Sequence, residues 1–130
     1  MAVAAEFRDK ILSRDGRCVV CKTRAARDPH HIHSRGAHDD DSYANGITLC
    51  RKCHNLFHSG LLVLAREGDV WILMDCNLAS GNKTVKNAFD RRGSVGAWRD
   101  VRWKVRSSDE VVVWMDASPK TIRLCECETT

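Results

Sequence analysis

Four cysteines in two matched pairs, Cys18-Val19-Val20-Cys21 and Cys50-Arg51-Lys52-Cys53, constrain this chain more than any other feature of its sequence. A Cys-x-x-Cys knuckle points two thiolates at one place, and two knuckles complete the sulfur tetrahedron that zinc prefers. A fold built on that ion must carry residues near 18 and near 50 together. At 130 residues the chain is the size of one ordinary domain with a modest core, so structural zinc would add materially to its stability. Cys50, Cys53 and His54 also spell the haem-attachment pattern, and a lone Cys-x-x-Cys can be a redox site. Neither explains both pairs. Covalent haem requires export, for which no signal is visible, and residues 10–30 supply no βαβ context for a redox site, so no haem is expected. Cys76, Cys125 and Cys127 lack zinc-like spacing and read as thiols, with an extra metal site at Cys125 and Cys127 the weaker alternative.

All six histidines fall between His30 and His58. His54 and His58, four apart on a helix, share a face and can ligate one ion, and a third ligand must come from another element, His30 being the leading candidate. His38, beside Asp39-Asp40-Asp41, reads as a solvated residue of an acidic loop.

Composition admits an ordinary soluble protein: 43% hydrophobic, 29% charged, two prolines, no repeat. The N-terminus turns charged too early for a signal peptide, and no apolar run is long enough to cross a bilayer, so a cytoplasmic location without membrane partners is expected. Thiols or metal ligands, rather than disulfides, suit that compartment and the odd count of seven cysteines. The net charge of +4 is unevenly spread. Residues 1–36, which include the first of the metal-ligand candidates, and residues 91–106 beyond the last of them are basic, as a polyanion-binding surface requires.

Phe7, Ile11 and Leu12 predict a helix over 6–15 stopped by Gly16. A short strand is expected near His30–His33, a tight turn at Asn45-Gly46 before Ile47–Leu49, and a helix from Cys50 to Ser59 closed by Gly60. Residues 61–65 and 70–74 flank a hairpin turn at 66–69, and Val101, Trp103 and Val105 alternate with Arg102, Lys104 and Arg106 as in a strand with one apolar and one basic face. Residues 111–115 and 121–125 read as further strands. The fold class is therefore α+β, with a small ββα core at 1–60 followed by a short antiparallel β region at 61–130 of the same domain.

Taken together, Arg14-Asp15-Gly16, Cys18-x-x-Cys21, His30-His31-Ile32, Asn45-Gly46-Ile47-Thr48-Leu49-Cys50-x-x-Cys53-His54 and His58 resemble the HNH endonucleases, the His-Me finger or ββα-metal family. The resemblance covers about residues 6–60. It implies a treble-clef-like zinc core, His31 as general base, Asn45 as the brace of the loop that carries it, and His30, His54 and His58 as ligands of a catalytic metal. Many family members have aspartate where His30 stands, and the His-His pair looks more like the nuclease colicins. Three imidazoles favour Zn2+, Ni2+, Mn2+ or Co2+ over Mg2+. The implied activity is metal-dependent hydrolysis of DNA, leaving 5′-phosphate and 3′-hydroxyl ends, in a small phage-like or mobile enzyme. One difficulty is geometric: strand neighbours face opposite sides, so the strand near His30–His33 must be irregular if His30 and His31 both reach one phosphate. His33, two positions on, would share the His31 face.

DNA is the expected partner. Arg91, Arg92, Arg99, Arg102, Lys104 and Arg106, interleaved with Trp98 and Trp103, are candidates for tracking its backbone, as is Arg35. Contacts of that kind give affinity without reading sequence. The alternative is a zinc-containing module that binds nucleic acid without cutting it.

Overall fold

The computed structural model describes residues 5–24, 27–32, 46–91, 96–115, 118–124 and 128–129. The expectations on His33, Arg35, His38, Asn45, Arg92, Cys125 and Cys127 lie outside the described residues. The fold is α+β, and the chain divides into two compact units: 1–59 with 94–97, and 60–93 with 98–130.

The first unit holds helix α1 (Ala5–Asp15), strands β1 (Arg27–His31) and β2 (Gly46–Cys50), and helix α2 (Arg51–His58). Helix α1 buries Phe7 and Ile11 and ends at Gly16, whose amide donates to the Leu12 carbonyl at 2.9 Å with φ +74, a conformation that glycine adopts without penalty. β1 and β2 pair antiparallel, with His30 opposite Ile47 and His31 opposite Gly46. Pro29 stands opposite Thr48, whose amide donates to Asp15 Oδ2 at 2.9 Å and whose carbonyl accepts from Val19 at 3.0 Å. Thr48 thus turns both backbone groups away from β1, and a proline there forfeits no ladder bond.

The resemblance motif Arg14-Asp15 acquires a structural meaning in this unit. The Arg14 guanidinium grips Asp15 at 2.6 and 3.0 Å and donates to the Gly46 carbonyl at 2.7 Å, with both side chains almost wholly buried. Asp15 and Arg14 therefore tie the end of α1 to β2. The expected turn at Asn45-Gly46 is corrected at its second residue: Gly46 is strand, and its φ is not positive. Its glycine is needed because an added Cβ would overlap Ile11, which is completely buried and has nowhere to move.

The second unit is all β. A five-stranded sheet runs β10–β3–β4–β5–β6, formed by Glu128–Thr129, Leu62–Glu67, Val70–Cys76, Lys83–Asp90 and Arg99–Asp100. A three-stranded sheet runs β7–β8–β9, formed by Arg102–Ser107, Glu110–Trp114 and Pro119–Arg123. The β3–β4 hairpin turns at Gly68-Asp69 with Gly68 at φ +60, inside the expected 66–69 span. Val70, Ile72 and Met74 of one sheet and Val111, Val113 and Ile122 of the other belong to one buried apolar cluster, against which Val101 and Trp103 pack. Strand β5 was not among the expectations.

Candidate metal centre

Local chemistry places the four cysteines. After Cys18, the Lys22 amide returns to the Cys18 carbonyl at 3.0 Å and the Cys18 amide donates to the Thr23 carbonyl at 2.8 Å, so residues 18–23 close into a tight knuckle. Lys22 pays for that turn with φ +68, a left-handed backbone that a side chain disfavours by about 1 kcal/mol. Cys50 caps α2, its Sγ accepting from the Cys53 amide at 3.5 Å, and Cys18 Sγ accepts from the Cys21 amide at 3.4 Å. The four Sγ atoms all lie within 4.8 Å of one another, with Cys21 and Cys50 at 3.4 Å. Sulfurs bound tetrahedrally at about 2.3 Å from zinc stand roughly 3.8 Å apart, so the set fits a structural zinc ion. Burial works against ionisation of Cys50, yet hydrogen bonds from Cys53 and neighbouring thiols bring its thiol down to about 7, whereas burial pushes Cys53 up. Zinc would override that difference, since it binds thiolates.

The second cluster joins β1 to α2. His30, His54 and His58 each offer a nitrogen within 4.8 Å of the others'. The Nε2 atoms of His54 and His58 are 3.0 Å apart, and the His30 ring stands edge-on to both, with centroids 4.9 and 5.5 Å away. Nitrogens held tetrahedrally at about 2.1 Å from a metal stand roughly 3.4 Å apart, so these imidazoles also fit one ion. Burial, then repulsion from His54 and His58, lowers the His30 pKa to about 3, and burial followed by His58 lowers that of His54. Both rings are thus held neutral, the form that donates a lone pair.

Asp28 escaped the sequence reading. Its Oδ2 accepts from Arg51 Nε at 3.0 Å and lies 3.6 Å from His54 Nδ1. The signal was available: Asp28 and His30, two apart on a strand, share a face, and Arg51, His54 and His58 recur at i, i+3 and i+7 on a helix. Only the packing of β1 on α2 brings the two faces together.

His30 and His31 behave as regular strand neighbours. His30 faces α2, whereas the His31 ring stacks flat on Phe7 of α1, centroids 4.2 Å apart and planes 1° from parallel. The expected irregularity of β1 is therefore corrected through His31.

Of the candidate DNA contacts in the second unit, Arg91 is 4% exposed, with its guanidinium 4.3 Å from the Trp98 ring and 5.2 Å from that of Trp71. It is a packing residue, and the expectation of a phosphate contact there is corrected. Arg99, Arg102, Lys104 and Arg106 are exposed. The last three alternate along β7, on the face opposite the half-buried Trp103, with Arg102 stacked 4.3 Å over Trp114. Val105 remains 48% exposed, so the apolar side of β7 is only partly covered.

Residues 18–65, from the first cysteine pair into β3, match the model of the HNH endonuclease family. That likeness covers the segment holding both metal-ligand clusters, and the general activity it points to is that of a metal-binding nuclease acting on nucleic acid. No curated protein and no solved structure matches the chain. Among the described residues no helix is long and apolar enough to cross a membrane.

Proposed function

We propose that the chain is a metal-dependent HNH endonuclease that hydrolyses DNA phosphodiester bonds. The observation that carries this reading is the convergence of His30, His54 and His58 inside the family-matched segment. These three residues would hold the catalytic divalent cation, which supplies Lewis acidity and counter-charge for the phosphoryl group when bound. Cys18, Cys21, Cys50 and Cys53 would hold a structural zinc ion, which would fix the start of α2 and with it the placement of His54 and His58.

The chain's own residues then have distinct tasks. His31 accepts the proton of the attacking water, for which a neutral imidazole is suited near neutral pH. Phe7, stacked on its ring, fixes the plane of that imidazole. Asn45, by the resemblance, braces the loop leading into β2. Asp28 Oδ2, 3.6 Å from His54 Nδ1, favours the proton on that nitrogen and so leaves the Nε2 lone pair for the cluster, and Arg51 in turn fixes the Asp28 carboxylate.

The second reading is a zinc module that binds nucleic acid without cutting it. It draws support from the position of His31, which lies on the face of β1 away from the three imidazoles. A plasmid-cleavage assay across Zn2+, Ni2+, Mn2+, Co2+ and Mg2+ decides between them. The enzyme reading expects nicking that His31→Ala abolishes while DNA binding and folding persist. Wild-type protein inert with every metal would leave the binding module, and full activity in His31→Ala would remove the base from that residue.

A further inference from the structure

Beside the imidazole cluster lies a cavity of about 520 Å³, walled by Arg8 of α1, Asp28 and Pro29 of β1, and Arg51, Asn55 and the two histidines of α2. Building on the nuclease reading above, we propose that this cavity is a subsite for a DNA backbone phosphate next to the one that is cleaved, with Arg8 and Arg51 as its cationic donors.

Charge is the first argument. Arg8 is exposed and makes no hydrogen bond or ion pair among the described residues, so its positive charge on the cavity wall is uncompensated there. Arg51 spends only Nε on Asp28 at 3.0 Å, and its side chain is 71% exposed. The contact fixes the guanidinium at its base while both terminal amino groups remain as donors, the fork that matches phosphate oxygens. Two guanidinium groups against one carboxylate leave the cavity positive, and Asn55 adds an amide with no charge of its own.

Position is the second. His54 and His58 line the cavity, but His30 does not, so its centre is displaced from the point the three imidazoles share. A phosphate seated between Arg8 and Arg51 is therefore not the one at the metal centre. A DNA strand carries one phosphate per nucleotide, and a strand crossing the cluster presents its next phosphate alongside. The chemistry is that of a phosphodiester oxygen and not of a base edge, because the charged donors on the wall are two guanidinium groups and its one carboxylate, Asp28, is already held by Arg51 Nε. Such a subsite positions the strand without reading its sequence.

The test is duplex binding by fluorescence anisotropy across salt concentrations, using wild type, Arg8→Gln, Arg51→Gln, the double variant and Arg8→Lys, with two unrelated sequences. Each single loss should weaken binding roughly ten-fold and lower the salt slope by about one, equally on both sequences, and Arg8→Lys should recover the slope. Lys83→Gln, at the exposed first residue of β5, should move neither quantity. Slopes at the wild-type value in both arginine variants would overturn the proposal, as would an equal drop in Lys83→Gln. Plasmid cleavage by the same proteins separates the two readings: slopes that fall in a protein that never cuts sink the nuclease and keep the subsite, while unmoved slopes in an active nuclease do the reverse.

Discussion

Asp28 Oδ2 lies 3.6 Å from His54 Nδ1, on the opposite side of an imidazole whose Nε2 meets His58 Nε2 at 3.0 Å. The carboxylate thus addresses the one ring nitrogen that the ligand cluster does not use. Asp28→Ala is expected to lower affinity for the histidine-site metal by 10- to 100-fold, with zinc on the cysteines retained. Competition against a chromophoric chelator reads both sites; unchanged affinity would make Asp28 merely an Arg51 partner.

Arg14 and Asp15 form a buried pair whose further contacts reach Gly46 and Thr48. Removing one member strands the other charge, at a cost of about 3–5 kcal/mol. Asp15→Ala should lower the urea midpoint accordingly. A loss below about 1 kcal/mol would place the pair in effective contact with solvent.

Cys50 serves twice, as thiolate and as the cap of α2. Cys50→Ser should release zinc and destabilise the first unit strongly, since metal binding and folding are coupled. A variant that lacks zinc by elemental analysis yet keeps the parental melting temperature would contradict the structural role.

The pH response follows from His30. Its folded pKa, lowered to about 3, lies below the unfolded value near 6.5, so the unfolded chain takes up a proton first. With the histidine site metal-free, stability is fully present above about 6.5 and falls with pH until about 3, where the folded ring also protonates. His30→Asn, which lacks this titration, should show a shallower decline of the denaturant midpoint across the same window. Parallel curves would reject the burial-driven shift.

Arg102, Lys104 and Arg106 line the exposed face of β7. Converting all three to Gln should weaken DNA binding similarly across sequences and reduce the salt slope by up to about three. A parental slope would return the strand to a structural role.

By itself the sequence determined the elements whose signals are local. Helix α1 followed from Phe7 and Ile11 with Gly16 behind them, α2 from the stop at Gly60, and the β3–β4 hairpin from its turn. The cysteine spacing and the His54–His58 repeat were legible because covalent geometry alone puts such pairs on one side of a knuckle or helix. Strand β5 was not, because burial along Lys83–Asp90 breaks period two where its register against β4 shifts at Leu73/Met74. Tertiary structure alone decided the rest. It set Asp28 against His54, closed Gly46 against Ile11, buried Arg91 between two tryptophans, and sent His30 and His31 to opposite helices. Each of these depends on which faces meet across residues far apart in the chain, and periodicity fixes the direction of a face but not what it packs against.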